Sequence, residues 1–392
     1  MTYQGRNTTL YHSGTIKGLC EIICEQGFEG MGQVIQVLMN EAMKVERSKF
    51  LGTQPYERSP ERQDYANGFK DKTVKTRLGM LDLQVPQVRG CDFYPQALER
   101  GLRSEQALRM SVAEMYLQGV STRKVQKITE ELCGLTISSS QVSGITSKLD
   151  SELKLWRDRK LGKFQYMIVD AIYEKTRRDG CVVSSSVLIA YGINPDGKRE
   201  VIGVSVSLSE AEVHWRSFFE NLVERGLHGL EMITSDAHTG LKAALQTIFP
   251  TVPWQRCQFH LQQNASSYVT KKARKAEVAA DIRDIFNAPN ETEAKRLLGL
   301  AVDKYKEKES RLAEWIGSNI DESFTVFRLP KVHRQKLRTS NLAEHVNKEI
   351  RRRTKVVGIF SNEESCLRLV SAILCEIHEE WIQGKRYLPE DV

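Results

Sequence analysis

At Lys163 the hydrophobic period of this chain changes, and that change restricts what the chain can fold into. Residues 164–172 (FQYMIVDAI), 181–192 (CVVSSSVLIAYG) and 199–207 (REVIGVSVS) are rich in Val and Ile and bounded by turn residues, the pattern of strands. Residues 210–226 then read as a helix, with Val213, Phe218, Phe219 and Val223 expected to face inward. A fourth strand is expected at 230–235, a helix at 240–249, and a fifth strand at 252–258, after Pro250.

Three strands, a helix, a strand, a helix and a strand is the order of a ribonuclease-H-like fold, an α/β unit on a mixed sheet. The unit is interrupted. Residues 261–326 abandon strands: KKARKAEVAADIRDIF reads as one helix, 292–305 as another and 308–316 as a third. The closing helix resumes at Asn341. The expected organisation is a ribonuclease-H-like catalytic core at 161–260 and 337–392, with an all-helical insertion at 261–336.

Upstream, Met31 through Val45 reads as one helix, 54–75 as a loop rich in Pro, Gly, Tyr and charge, and 75–88 (KTRLGMLDLQVPQV) as a small hairpin or edge strand. Residues 1–100 thus form an N-terminal region, helical and then stranded, with DNA binding as a candidate role. Residues 101–160 read as three short helices: one after Ser104 and ending at Gly119, one capped by Ser121, and one begun by Ser138-Ser139-Ser140. They resemble a helix-turn-helix unit, though an ordinary helical linker domain fits the same pattern. A helix-turn-helix would offer Ser139, Gln141, Ser143 and Lys148 to a DNA groove.

Composition excludes several classes. No apolar run approaches the ~20 residues that span a bilayer, and Met1 is not followed by a signal segment. Eight cysteines in 392 residues are too thinly spread for a disulfide scaffold, so free thiols in a reducing cytoplasm are expected. The net charge of +7 is local: residues 327–358 hold ten Lys or Arg and two Glu, +8 in all, so the remainder sums to −1. Such a stripe suits a polyanion or forms a solvated face.

The chemistry-bearing residues are acids. Asp170 lies near the end of the first strand and shares a face with Ile168, while Met167 and Val169 take the other. An acid within YMIVDAI is costly if simply buried, so it should face a cleft or a cation. Asp236 ends the fourth strand, and ligands collect at such strand ends. Singly, either is equally well a turn or cap residue. As a pair they suit Mg2+ or Mn2+, hard ions that favour oxygen ligands.

Glu344 is the third acid, on the helix NLAEHVNKEIRRR, where Ser340 or Asn341 can cap and Leu342, Val346 and Ile350 mark the buried side. It shares a face with Asn347, Lys348 and Arg351. Alone it would be read as a surface pair with Lys348. Beside the two aspartates it completes a three-carboxylate site for phosphoryl transfer. Cys257 and His260 are half of a zinc-ligand set; without a second pair they read as a buried anchoring unit, or His260 as a group that orients a carboxylate. Trp215, Trp254 and Trp315 read as core or helix-docking residues. A serine-hydrolase elbow, a Walker A loop and a dinucleotide fingerprint are not found.

The strings MIVDAIYEKTR, SDAHTGLKAALQTIFPTVPWQRCQFHLQQN and RTSNLAEHVNKEIRRRTKVVGIFSNEESCLRLV together resemble the Mutator-like transposases of bacterial insertion sequences, over about residues 30–385. The resemblance implies a DDE ribonuclease-H-like core with an all-helical insertion, cutting and joining DNA at element ends with Mg2+, for which Mn2+ can substitute. It makes Asp170, Asp236 and Glu344 the catalytic, metal-holding acids. Cys257 and His260 match the family's cysteine/aspartate–two residues–histidine signature, and Asn341, Glu344 and Asn347 match its spacing; Cys257, His260 and Asn341 would stand behind the acids.

By the same analogy the region before Asp170 binds terminal inverted repeats of double-stranded DNA, and a homodimer acts on paired ends, in the bacterial cytoplasm on nucleoid DNA. The expected DNA contacts are Ser139, Gln141, Lys148, Arg338, Asn347, Lys348, Arg351, Arg352, Arg353 and Lys355. Two departures stand out. The family's Arg before Asn264 is replaced by Gln262-Gln263, and the first 30 residues match poorly, as an element-specific extension would. Two other functions use the same residues: a DNA-binding regulator whose acids are structural, and a structure-specific nuclease of the same fold that lacks strand transfer.

Overall fold

The computed structural model describes residues 8–389 apart from 58, 61, 91, 99 and 101–103, and without the side chains of 8–15 and 139. The chain divides into two compact units, Met1–Thr146 and Ser147–Val392.

The first unit begins with α1 (Thr8–Gln26) and α2 (Met31–Leu51), the latter ended by Gly52 in a left-handed conformation, φ 69°. A hairpin follows, β1 (Ala66–Thr76) against β2 (Gly79–Val88). The loop expected at 54–75 is therefore half strand. Its sequence ANGFKDKTVKT lacks apolar alternation, so pairing with β2 defines β1 rather than its own pattern. In β2 alternation is plain: Leu81, Leu83 and Val85 are buried and pack with Met43 of α2.

Next come α3 (Gln106–Leu117), α4 (Thr122–Cys133) and α5 (Ser139–Thr146). Ser121 caps α4 by accepting from Lys124 N, and Gly134 ends it at φ 63°. Leu108, Val112, Val125, Leu135, Ile137 and Val142 give the three helices one small core.

The second unit opens with α6 (Asp150–Arg157) and then a five-stranded sheet ordered β5-β4-β3-β6-β7. β3 (Tyr166–Arg178), β4 (Cys181–Ile193) and β5 (Arg199–Ser207) are antiparallel. After α7 (Glu212–Glu224), β6 (Met232–Ser235) runs parallel to β3; after α8 (Thr239–Ile248), β7 (Trp254–Arg256) runs parallel to β6. The β3–β4 turn is Asp179-Gly180, both at positive φ, as a tight hairpin requires.

Period two decides the layers. Met167, Val169, Leu188, Ala190 and Ile202 point to α7 and α8, against Trp215, Phe218, Phe219 and Leu241. The opposite face carries Ile168, Asp170 and Ile172. That face meets α14 (Asn341–Val357) and α15 (Glu363–Gln383), which close the unit. Arg368 of α15 binds Asp150 of α6 through both oxygens at 2.7 Å.

Between β7 and α14 lie α9 (Gln258–Ala265), α10 (Lys275–Phe286), α11 (Glu291–Lys306), α12 (Ser310–Asn319) and α13 (Lys331–Leu337). This helical stretch has its own core, including Leu261, Ile282, Ile285, Leu298, Leu312 and Ile316. Arg256 of β7 fastens it to the sheet by reaching Asn319 at 2.9 Å and Glu322 at 3.0 Å. No helix among the described residues is long and apolar enough to cross a membrane. The described cysteines are free; Cys91 lies outside the described residues.

Candidate active site

Strand register brings two acids together. β3 and β6 pair as Tyr166↔Met232, Met167↔Ile233 and Ile168↔Thr234. Asp170 and Asp236 each stand two residues beyond the last pair, Asp236 one residue past the end of β6, where neighbouring strands lie about 4.8 Å apart. Asp170 is not at a strand end, as its sequence suggests, because β3 runs on to Arg178. It is at the end of the β3–β6 ladder, since β6 stops at Ser235. The polar continuation of β3, including Glu174, Lys175 and Arg177, stays extended through its pairing with β4.

Burial, and next the negative charge of Asp236, push Asp170 up to about 6. Its two oxygens are occupied: Oδ1 accepts from Ala171 N at 3.0 Å and Oδ2 from Asn347 Nδ2 at 2.8 Å. Asp236 is held locally, its Oδ1 accepting from His238 N at 3.3 Å. Ser235 Oγ donates to the Asp236 carbonyl and accepts from Trp254 Nε1, both at 2.8 Å, which stiffens the strand end.

The first turn of α14 supplies Glu344, half-buried, with Oε1 3.9 Å from His260 Nε2. Helical spacing puts Asn347 one turn on, buried at 8% exposure. Its Nδ2 is used by Asp170, while its Oδ1 is buried without a partner.

Behind the acids lies a sulfur–imidazole pair. Cys257 N donates to Ser235 O at 2.7 Å, continuing the β6–β7 ladder and seating Cys257 beside the Asp236 strand end. Burial pushes the Cys257 thiol up, but the adjacent His260 and the Ser340 donors outweigh it and leave the thiol below its ordinary value. Ser340 donates to Sγ from both N and Oγ at 3.3 Å. The same pairing with Cys257 raises His260 to about 9 against the opposing effect of burial, with Asp170 and Asp236 adding to it. Ser340 makes no side-chain cap on α14, the use its sequence position suggests; its hydroxyl is spent on Cys257.

The remaining expected residues divide by exposure. Lys348, Arg351 and Lys355 are exposed, on the helical stripe of Glu344. Arg352 pairs with Glu349 at 2.7 Å, and Arg353, 6% exposed, lies between Glu349 at 2.8 Å and Glu376 at 2.6 Å. Arg338 donates to Asn287 at 2.8 Å. Asn341 is exposed at the start of α14. Gln141 Oε1 accepts from Ser138 N at 3.0 Å, closing the start of α5; Lys148 is exposed and the Ser139 side chain lies outside the described residues. Trp215 and Trp315 are packed in the two cores of the second unit.

Three residues near the acids carry no mark in the sequence. Glu210, Tyr173 and His238 gather beside Asp236 from the turn before α7, from β3 and from the turn before α8. Among the described residues no group of three or more His, Cys, Asp or Glu is positioned to hold a metal ion by itself.

The chain is similar over most of its length to one group of proteins. Residues 15–384 match the profile described as "Transposase, Mutator family". A transposase for insertion sequence element IS406 of Burkholderia multivorans is 53% identical over 93% of this chain and 95% of its own length. A transposase for ISRM5 of Rhizobium meliloti is 43% identical, covering 93% and 91%. A transposase for IS256 in transposon Tn4001 of Staphylococcus aureus is 38% identical, covering 90% and 91%.

Proposed function

This chain belongs to the Mutator family of transposases, and we propose that it binds the terminal inverted repeats of an insertion sequence, cleaves DNA there by metal-assisted hydrolysis and joins the freed 3′-hydroxyl to a phosphodiester by direct transesterification. The reading is carried by one observation: strand register sets Asp170 beside Asp236 while α14 reaches Asp170 through Asn347.

The residues suit a hard divalent cation. Oxygen acceptors outnumber donors: Asn347 Oδ1 is buried without a partner, and Asp170 resists ionisation beside Asp236. Asp170, Asp236 and Glu344 would hold Mg2+, with Mn2+ able to substitute. When bound, the ion lowers the pKa of the attacking water or 3′-hydroxyl and stabilises the leaving oxygen.

The protein's own groups do the positioning. Asn347 fixes one Asp170 oxygen, and His260, charged through its pairing with Cys257, stands by Glu344. Lys348, Arg351 and Lys355 offer exposed charge to phosphates on the same stripe as Glu344. In the first step the water oxygen bonds to phosphorus and the P–O3′ bond breaks, leaving a 3′-hydroxyl and a 5′-phosphate. In the second, that 3′-hydroxyl bonds to the phosphorus of another phosphodiester and displaces its 3′-oxygen. One P–O bond replaces another, so no covalent enzyme intermediate is required.

The same reading makes 161–260 and 337–392 a ribonuclease-H-like core, 261–336 its helical insertion, and 101–160 a helix-turn-helix-like DNA-binding domain behind an N-terminal region, 1–100. The active form is a homodimer on paired ends, in the bacterial cytoplasm. Replacing Asp236 with Asn and assaying cleavage and joining of element-end DNA with Mg2+ tests it: both steps should be abolished with end binding retained. Cleavage at the wild-type rate would overturn the assignment.

A further inference from the structure

We propose that Glu210 is a positioning residue that holds the Asp236 loop beside Asp170. The inference rests on the reading of these acids as a cation-holding site. Asp236 lies one residue past the end of β6, so no ladder bond of that strand fixes it. Among the described residues, its carboxylate is tied to the N–H of His238, in its own loop. Two negative charges on adjacent strands repel, and partial burial strengthens the repulsion. Ser235 and Trp254 stiffen the chain before Asp236, so a brace on the residues that follow it has to come from another segment.

The turn before α7 supplies one. Its backbone lies against the first turn of α8 so closely that a Cβ at Gly240 would stand 2.3 Å from Glu210 O and 2.8 Å from Glu212 N. Only glycine admits that approach. From the same turn the Glu210 side chain, 8% exposed, comes within 3.8 Å of His238 Nδ1, two residues after Asp236. It also faces the hydroxyl of Tyr173, three residues after Asp170 on β3. One buried carboxylate thus has a neighbour on each of the two segments that carry the aspartates.

Glu210 also adds negative charge near Asp236, an adverse arrangement if the residue were only packing. Its contacts are with His238 and Tyr173, so its role is to place Asp236 rather than to touch the reacting atoms. The expected consequence is that Asp236 is kept beside Asp170 before the ion and its remaining ligands come together.

The test is Mn2+ binding to the full-length protein without DNA, by isothermal titration calorimetry, with folding checked by thermal unfolding. Glu210→Ala should weaken Mn2+ binding about 10–100-fold, the usual cost of losing a residue that orients a ligand. Glu210→Gln, equally uncharged but able to reach the same neighbours, should recover most of it. Tyr173→Phe removes one hydroxyl from a half-exposed ring without changing charge and should weaken binding severalfold; it carries the test if Glu210→Ala does not fold. Wild-type affinity in Glu210→Ala or in Tyr173→Phe, or equal losses in the two Glu210 variants, would overturn the proposal, the last because it is the mark of charge alone. If the wild type binds Mn2+ no better than Asp236→Asn, the cation site itself is misread and the brace falls with it.

Discussion

Asn347 Nδ2 donates a 2.8 Å hydrogen bond to Asp170 Oδ2, joining α14 to the middle of β3 across 177 residues of chain. The bond leaves the amide oxygen buried and unpartnered, in a site rich in carboxylates. A residue counted from sequence among the DNA contacts therefore sits within the acid cluster, through helical spacing from Glu344.

Asn347→Ala frees Asp170 Oδ2. Cleavage of element-end DNA should fall about 10–100-fold while binding of that DNA, measured by gel shift, stays near wild type. A loss of binding with unchanged cleavage of the bound fraction would return Asn347 to a DNA-contacting role.

Exposed and buried arginines of α14 should behave differently. Arg353 is 6% exposed and engaged by Glu349 and Glu376, whose side chains stay partly in solvent, so Arg353→Ala should cost about 1–2 kcal/mol of stability, through lost packing of its stem and two weakened pairs. Arg352→Ala breaks an exposed pair and should cost under about 1 kcal/mol. Urea unfolding of the two variants compares them directly.

Lys348, Arg351 and Lys355 should appear in DNA affinity instead. Each Lys/Arg→Ala change should leave stability alone and reduce the slope of log K against log salt by about 1 for each phosphate no longer neutralised. Titrations of end DNA over a range of salt concentrations measure this, and an unchanged slope removes the residue from the interface.

His378 sets an acid limit on stability. Burial first, and then the Arg159 charge, lower it to about 4, with its Nδ1 buried and unpartnered and Trp156 edge-on at 5.7 Å. The unfolded chain takes up that proton near pH 6.5, before the folded one does, so protonation favours unfolding. Stability contributed by the neutral ring is present above pH 6.5 and lost as pH falls towards 4, by about 1–2 kcal/mol between pH 7 and 5. His378→Phe should flatten that part of the profile in urea unfolding at the two pH values.

Much of the second unit was legible because its period is strong. The expectation of 199–207 coincides with β5, and the closing helix begins at Asn341 as its pattern indicates. α1 and β1 escaped because neither carries a strong period: one follows few apolar repeats, and the other is ANGFKDKTVKT, ordered by its partner strand. The extension of β3 past Asp170 escaped for the same reason, since its polar residues are held by pairing with β4.

What the sequence determined by itself was the local layer: which residues alternate, which caps and turns separate them, and that an acid inside YMIVDAI needs a use. The tertiary structure decided which acids meet. Asp170 and Asp236 converge through a parallel register, Asn347 reaches Asp170 from a helix that follows the whole insertion, and Glu210 arrives from a separate turn. It also turned Ser340 from a cap into a donor to Cys257, and Arg353 from an expected DNA contact into a buried guanidinium between Glu349 and Glu376. Period two and period 3.6 are properties of neighbours along the chain, whereas these contacts join segments far apart in sequence, and only the packed sheet and helices bring them together.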